Sequence, residues 1–360
     1  MPSNLTSNRE LWFFVFFLGT FLIAFFVTRL VKRLARILGI EDVPDRARKI
    51  HDAPKPKLGG LSLFFSFVFG LLTLAAIGGT DEISPNRIVG FILGGTVLII
   101  GGILDDKYEL SPGKQIWFPI LASLLVVLSG THVSFITNPF GGAIILDQQK
   151  VFGYPVYGSV LVFFWILGMI YTTKFLDGMD GLVSGISGIA GLVIFGLSLG
   201  PAINQTTTAF LALIFAAAVF GFLPHNFYPA KIFLGEGGST FTGFMIGVLS
   251  VISGGKIATA LLVLGIPVMD AAWVIVRRIW FGSSPFHGDS KHLHYRLVDI
   301  GLSQRQAVLF LYFLAALFGG IAVFLQTWGK LVALAILSAV MIIVAMSVVI
   351  IYRKRQSSND

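Results

Sequence analysis

Apolar residues run nearly unbroken for long stretches of this chain, and the runs are separated by short polar segments. A helix needs about 20 mostly apolar residues to cross a hydrocarbon core roughly 30 Å thick. Eleven candidate spans follow, at about 11–30, 58–78, 88–104, 115–130, 155–173, 181–199, 206–223, 240–254, 256–276, 306–326 and 330–352. The pattern predicts an all-α polytopic membrane protein, one integral membrane domain over residues 1–360 with no separate soluble unit. Residues 133–154 break the helical pattern with β-branched and aromatic runs around Asn138-Pro139 and Gly141-Gly142. That is the local signature of a small external β-hairpin.

The polar segments set the sidedness. The first span follows a nearly neutral tail and precedes Arg29, Lys32, Arg33 and Arg36. A cleavable signal peptide has the reverse order, so this span is expected to be retained with its N-terminus outside. The cytoplasmic segments are then 31–57, 105–114, 174–180, 224–239, 277–305 and the tail after 352. Counted from Arg29, they hold 21 of the 26 Lys and Arg; Arg9, Arg87, Lys150, Lys256 and Lys330 lie on the outer side. This is the positive-inside bias, and it places the C-terminus in the cytoplasm.

Composition narrows the chemistry. Only 12% of residues are charged and 55% are hydrophobic, against the roughly 25% charged of soluble domains. Cysteine is absent, which excludes disulfides, thiolate nucleophiles and thiolate metal sites. The 41 glycines suit close helix approach in a bilayer and do not by themselves imply a phosphate loop. The net charge of +8 fits orientation by Lys and Arg and also attraction to an anionic leaflet or substrate.

Four acidic groups fall on the cytoplasmic side: Asp105-Asp106, Asp177 and Asp180 of DGMDG, Glu236 of LGEGGST, and Asp270 inside the ninth span. Carboxylates often cap helix ends, and an isolated pair such as Asp105-Asp106 fits that description. The sidedness, derived from Lys and Arg alone, nevertheless gathers all four on one face. Asp177 and Asp180, spaced i to i+3, share one side of a helical turn. Paired hard oxygens suit Mg²⁺, which binds through one or two carboxylates plus substrate phosphates. Asp270 lies roughly 9 Å from its helix end at 1.5 Å per residue, a functional position unless Arg277 or Lys174 pairs with it. Pro267 is expected to bend that span.

Two basic segments face these acids: 46–60, with Arg46, Arg48, Lys49 and His51, and 283–297, with His287, Lys291, His292, His294 and Arg296. Phosphate or nucleotide contact, a solvated loop and a zinc site all fit them. The i to i+2 spacing of His292 and His294 does not put both on one helical face, which speaks against zinc. The Asn226 amide is suited to a uracil edge or a sugar hydroxyl, and the glycines after it offer backbone N–H groups to an anion.

Five ordered blocks, PDRARKIHDAPKPKLGG, DDKYELSP, KFLDGMDGL, HNFYPAKIFLGEGGS and SPFHGDSKHLHYRL, with Asp270 ahead of Arg277-Arg278, resemble the polyprenyl-phosphate N-acetylhexosamine-1-phosphate transferases. The resemblance is to the WecA/TagO branch, related to the MraY muropeptide branch, whose consecutive histidines are here His292-Leu293-His294-Tyr295. It implies transfer of a sugar-1-phosphate, N-acetylglucosamine-1-phosphate first among them, from a UDP-sugar donor to undecaprenyl phosphate. UMP leaves, and the lipid-linked product feeds cell-envelope glycans such as teichoic acid or lipopolysaccharide. It further implies Mg²⁺, with Mn²⁺ as a substitute, and a bacterial plasma (inner) membrane location with the active site cytoplasmic.

The expected partners are the donor, the lipid phosphate and membrane lipid, with no nucleic acid; a homodimer is compatible. By resemblance, Asp105 and Asp106 activate the lipid phosphate or support the metal, and Asp177 and Asp180 act on the nucleotide side. Asp177 and Glu236 ligate metal. Arg48, Lys49, His51, Lys174, Asn226, Asp270, His292, His294 and Arg296 contact substrate. Two positions depart from the family pattern: Glu236 stands where Asp is usual and Lys174 where Asn is usual. Tyr295, where histidine is common, is a lesser departure. Alternatives to the enzyme are a weakly active or inactive relative that binds donor or lipid, and an ion-coupled transporter. Against the transporter, no inverted repeat is visible and the acids sit at one face, not at the midplane.

Overall fold

The computed structural model describes residues 8–43, 53–138, 141–151, 153–200, 204–254, 257–280, 282 and 292–357. Arg46, Arg48, Lys49, His51, His287 and Lys291 therefore lie outside the described residues.

The chain runs α1 (Arg9–Ile37), β1 (Glu41–Asp42), β2 (Lys55–Pro56), α2 (Gly59–Ala76), α3 (Pro85–Tyr108), α4 (Pro112–Gln115) and α5 (Trp117–Leu128). There follow β3 (Phe135–Thr137), β4 (Ala143–Ile145), β5 (Lys150–Val151), β6 (Tyr154–Pro155), α6 (Val156–Leu176), α7 (Leu182–Ser198) and α8 (Thr206–Asn226). The chain ends with α9 (Gly235–Ile252), α10 (Ile257–Val263), α11 (Gly265–Trp280), α12 (Leu293–Asp299), α13 (Gln304–Phe324) and α14 (Thr327–Ser357).

All eleven predicted spans fall on helices. Among the described residues, seven helices are long and apolar enough to cross a membrane, and the α10–α11 pair makes an eighth if it counts as one broken span. The remaining three, α4–α5, α7 and α9, are shorter or open on a polar, glycine-rich turn. A belt of exposed apolar side chains, including Phe14, Trp117, Phe164, Trp273 and Ile343, covers the outside, as expected where lipid is the solvent. This is an all-α polytopic membrane protein.

Two expectations need correction. The ninth span is not one helix: α10 and α11 meet at 81°. Pro267, three residues past the break, has no N–H for the carbonyl of Val263, so the ladder is interrupted where the chain turns. Segment 133–154 is not one hairpin but two, with β3 antiparallel to β4 and β5 antiparallel to β6. A third small pair, β1 with β2, aligns Glu41 with Pro56 and Asp42 with Lys55.

At the centre, α8 packs against α7 and α1, with Phe210, Phe215 and Phe222 fully buried. Beside it, α9 packs against α6, α3 and α2. Glycines set these distances: a Cβ on Gly60 would lie 2.2 Å from the Gly238 nitrogen, and one on Gly102 2.1 Å from the Gly237 nitrogen. Lipid tails are as apolar as leucine, so such backbone-to-backbone packing, not hydrophobic exclusion, holds membrane helices together. A short ladder extends the contact: Phe233 N–H donates to the Pro56 carbonyl at 2.8 Å, Gly59 N–H to Phe233 at 3.0 Å, and Gly60 N–H to Leu234 at 2.8 Å. The starts of α2 and α9 and the end of α3 thereby meet at one end of the bundle.

Candidate active site

Glu236, in the first turn of α9, is the hub of that meeting point. Its backbone N–H donates to Asp106 Oδ2 at 3.0 Å. Its carboxylate accepts from Lys174 Nζ at 2.6 Å. Gly235 lets the chain pass here: its φ is +75°, and a Cβ would sit 1.9 Å from the Lys57 carbonyl and 2.6 Å from Asp106 Oδ2. No L side chain fits that conformation in that space.

Asp105 accepts from the Leu110 N–H at 2.9 Å and from the Gln115 side chain. Gln115 in turn accepts from Lys174 Nζ at 2.9 Å. A chain Asp105–Gln115–Lys174–Glu236 therefore links the ends of α3, α4, α6 and α9. Thr173, next to Lys174, donates to the Ser239 carbonyl at 2.7 Å and fixes α6 on α9. Leu98, Gly101, Gly102, Phe118, Pro119 and Thr240 line a small pocket together with Asp105, Gln115 and Glu236.

The DGMDG turn closes the other side. Asp177, just past the end of α6, is exposed and close enough to Glu236 and Asp180 for their charges to couple. Asp180 accepts from the Ala230 N–H at 2.9 Å and pairs with Lys55 Nζ at 3.8 Å. Gly181, at φ +80°, turns the chain into α7, and the Tyr312 hydroxyl donates to its carbonyl. Lys57 pairs with Asp42 at 2.9 Å. Burial alone would lower its ammonium pKa, but Asp42, Asp106 and Glu109 outweigh that and raise it.

Asp270, in α11, finds its partners at the start of α12. Its carboxylate accepts from His292 Nδ1 at 2.8 Å and from the Leu293 N–H at 3.0 Å, and so docks the start of α12. There His292 stacks on His294 at 5.6 Å, and His294 packs on Tyr295 at 4.3 Å. A Cβ on Gly178 would come within 2.4 Å of His294 Nε2 and 2.5 Å of the Tyr295 hydroxyl, so this segment lies against DGMDG. Burial, with His292 and against the pull of Asp270, takes the His294 imidazole down to about 4. Its Nε2 is buried without a hydrogen-bond partner among the described residues. Arg296 lies two residues further along α12.

The structure thus brings Asp105, Asp106, Lys174, Asp177, Asp180, Glu236, His292 and His294 into one region. Asn226 is nearby but turned inward: it is 4% exposed, donates to the Ile232 carbonyl at 3.1 Å and accepts from Ser184 Oγ at 2.7 Å. Its carboxamide ties α7 to the loop before α9. Sequence reasoning missed Gln115, Lys55 and Lys57. Gln115 follows DDKYEL as an apparently flanking polar residue, and the alternation in Lys55-Pro56-Lys57 was the only signal for a strand.

Asp177 and Glu236 are the pair expected to hold Mg²⁺. Among the described residues, no group of three or more His, Asp or Glu comes together as metal ligands. Glu236 is bound to an ammonium, Asp106 to a backbone N–H and Asp180 to another. As arranged here, the donor set does not fit a divalent ion held at Glu236.

Residues 88–254 match the family described as glycosyl transferase family 4. The chain is 32% identical over 350 residues to a probable undecaprenyl-phosphate N-acetylglucosaminyl 1-phosphate transferase of Bacillus subtilis, covering 94% of this chain and 93% of that one. It is 31% identical to a decaprenyl-phosphate N-acetylglucosaminephosphotransferase of Mycobacterium tuberculosis, over 81% of this chain and 77% of that one. It is 29% identical to an undecaprenyl-phosphate alpha-N-acetylglucosaminyl 1-phosphate transferase of Salmonella typhi, over 84% and 83% respectively. With residues 88–254 matching the family and a relative 32% identical over 93% of its own length, this chain belongs to glycosyl transferase family 4.

Proposed function

We propose that this protein transfers N-acetylglucosamine-1-phosphate from its UDP-sugar to undecaprenyl phosphate at the cytoplasmic face of a bacterial plasma membrane. The names of its relatives support the reaction class. The observation that carries the reading is the convergence of Asp105, Asp106, Asp177, Asp180 and Glu236 with Lys55, Lys57 and Lys174 at one end of the bundle.

An oxygen of the lipid phosphate attacks the sugar-bound phosphorus. A new P–O bond forms, the bond to the bridging oxygen breaks, and its electron pair leaves with UMP. A phosphate monoester with a second pKa near 6 is largely ionised at neutral pH. The remaining protonated fraction gives its proton to Asp105 or Asp106. The barrier lies chiefly in bringing anions together, so alignment and positive charge are the main protein contributions. Lys57 and Lys174 supply charge on the acceptor side, and His292, His294 and Arg296 hold the donor.

A second reading, a relative that binds substrate with little or no turnover, is favoured by one observation: Lys174 engages the acid expected to ligate metal. Purified protein in detergent, given undecaprenyl phosphate and a panel of UDP-sugars, separates the two. UMP release with a matching lipid diphosphate product supports the enzyme. Donor binding without UMP release supports the second reading.

A further inference from the structure

We infer that the Lys174 ammonium is a built-in cation that occupies the place of a divalent ion at Glu236, so that this chain excludes metal from that carboxylate while the pair is intact. The inference rests on reading the cleft as the phosphoryl-transfer site, but its direct readout is metal binding.

The geometry is specific. Lys174 and Glu236 approach to 2.6 Å, with side chains 22% and 19% exposed. A second ammonium donor goes to Gln115 Oε1 at 2.9 Å, and the Tyr171 ring lies 6.0 Å from Nζ. Glu236 reaches across from α9, and Lys174 on α6 sets a full positive charge against its carboxylate. The two helices are tied together nearby, where Thr173, next to Lys174, donates to the carbonyl of Ser239, three residues after Glu236, which fixes the pair's position.

A divalent ion at the Glu236 carboxylate would stand within a few ångströms of a fixed positive charge, and that repulsion is strong in a partly desolvated site. The ammonium keeps one N–H donor beyond its two partners among the described residues, and that donor can meet a phosphoryl oxygen. A fixed cation can stabilise transferring phosphoryl oxygens as a metal does.

Mn²⁺ binding, followed by electron paramagnetic resonance on purified protein without substrates, tests this. The wild-type protein should show no tight Mn²⁺ site that depends on Glu236, so wild type and Glu236→Gln should give the same titration. Lys174→Asn, and more so Lys174→Asn with Glu236→Asp, should gain a site at least tenfold tighter. Lys174→Arg should not. A tight wild-type site that disappears in Glu236→Gln overturns the inference even if the Lys174 variants fail to fold, as does equal Mn²⁺ affinity in wild type and folded Lys174→Asn. Failure of the transferase reading would appear separately, as no UMP release from any variant, with the Mn²⁺ comparison still standing.

Discussion

Asp106 and Glu236, 130 residues apart in sequence, are joined by a 3.0 Å hydrogen bond in which the carboxylate at the end of α3 caps the first turn of α9. One acid therefore orders the glycine-rich turn and sets its carboxyl next to that of Asp105. Asp106→Asn keeps an oxygen to accept the same N–H but removes the charge. The variant should fold with a thermal midpoint near that of wild type and lose at least 100-fold in UMP release. Turnover near the wild-type rate would reduce Asp106 to a helix cap.

The glycine contacts predict a stability effect separable from chemistry. A Cβ on Gly102 would fall 2.1 Å from the Gly237 backbone, and the obstructing atoms are main chain, which cannot rotate aside. Gly102→Ala should push α3 from α9 and cost about 1 to 3 kcal/mol, the usual range for overpacking. Gly113→Ala, where nothing lies within 4 Å, should cost far less. Thermal unfolding of both variants in the same detergent gives the comparison.

Much of this was legible in the sequence, and the rest was hidden for physical reasons. Hydropathy reports which solvent a segment prefers, so each of the eleven predicted spans falls on helix, and charge asymmetry grouped the four acidic elements before any contact was known. Neither signal says which helices touch. The Asp105–Gln115–Lys174–Glu236 chain joins four elements through side chains that each look like ordinary helix-end polarity. Asn226 reads as a ligand-facing amide because its type fits a uracil edge, and only the Ser184 and Ile232 contacts show it turned inward. Pro267 announced a bend, but the 81° break and the docking of His292 on Asp270 depend on tertiary packing.

His294 carries a pH dependence of definite sign. Its imidazole titrates near 4 in the folded protein against an ordinary 6.5, so between those values the unfolded chain binds a proton that the native one does not. Its contribution is complete above about pH 6.5 and is lost as the pH falls toward 4. Wild-type thermal stability should therefore drop on acidification through that window, and His294→Gln should show a shallower drop. Identical slopes for the two proteins would place the titrating group elsewhere.

Asp270 offers the clearest separation of docking from chemistry. It touches neither Glu236 nor the acid pair; it holds His292 Nδ1 at 2.8 Å and the first N–H of α12 at 3.0 Å. An acid at that position also suits the positive end of a helix. Asp270→Ala leaves both groups buried without their acceptor, a loss of about 1 to 3 kcal/mol for each unsatisfied group. The 292–297 segment should then leave its place against Gly178, and with it the His292–His294 stack that we assign to the donor. The expected kinetic signature is a rise of tenfold or more in KM for the UDP-sugar, with KM for the lipid acceptor within about twofold of wild type. Asp270→Asn, which can still accept from the Leu293 N–H, should fall between wild type and alanine. An alanine variant that binds donor normally would mean that α12 is held by other contacts. A loss shared equally between donor and acceptor would place Asp270 in the common machinery of the cleft, not on its donor side.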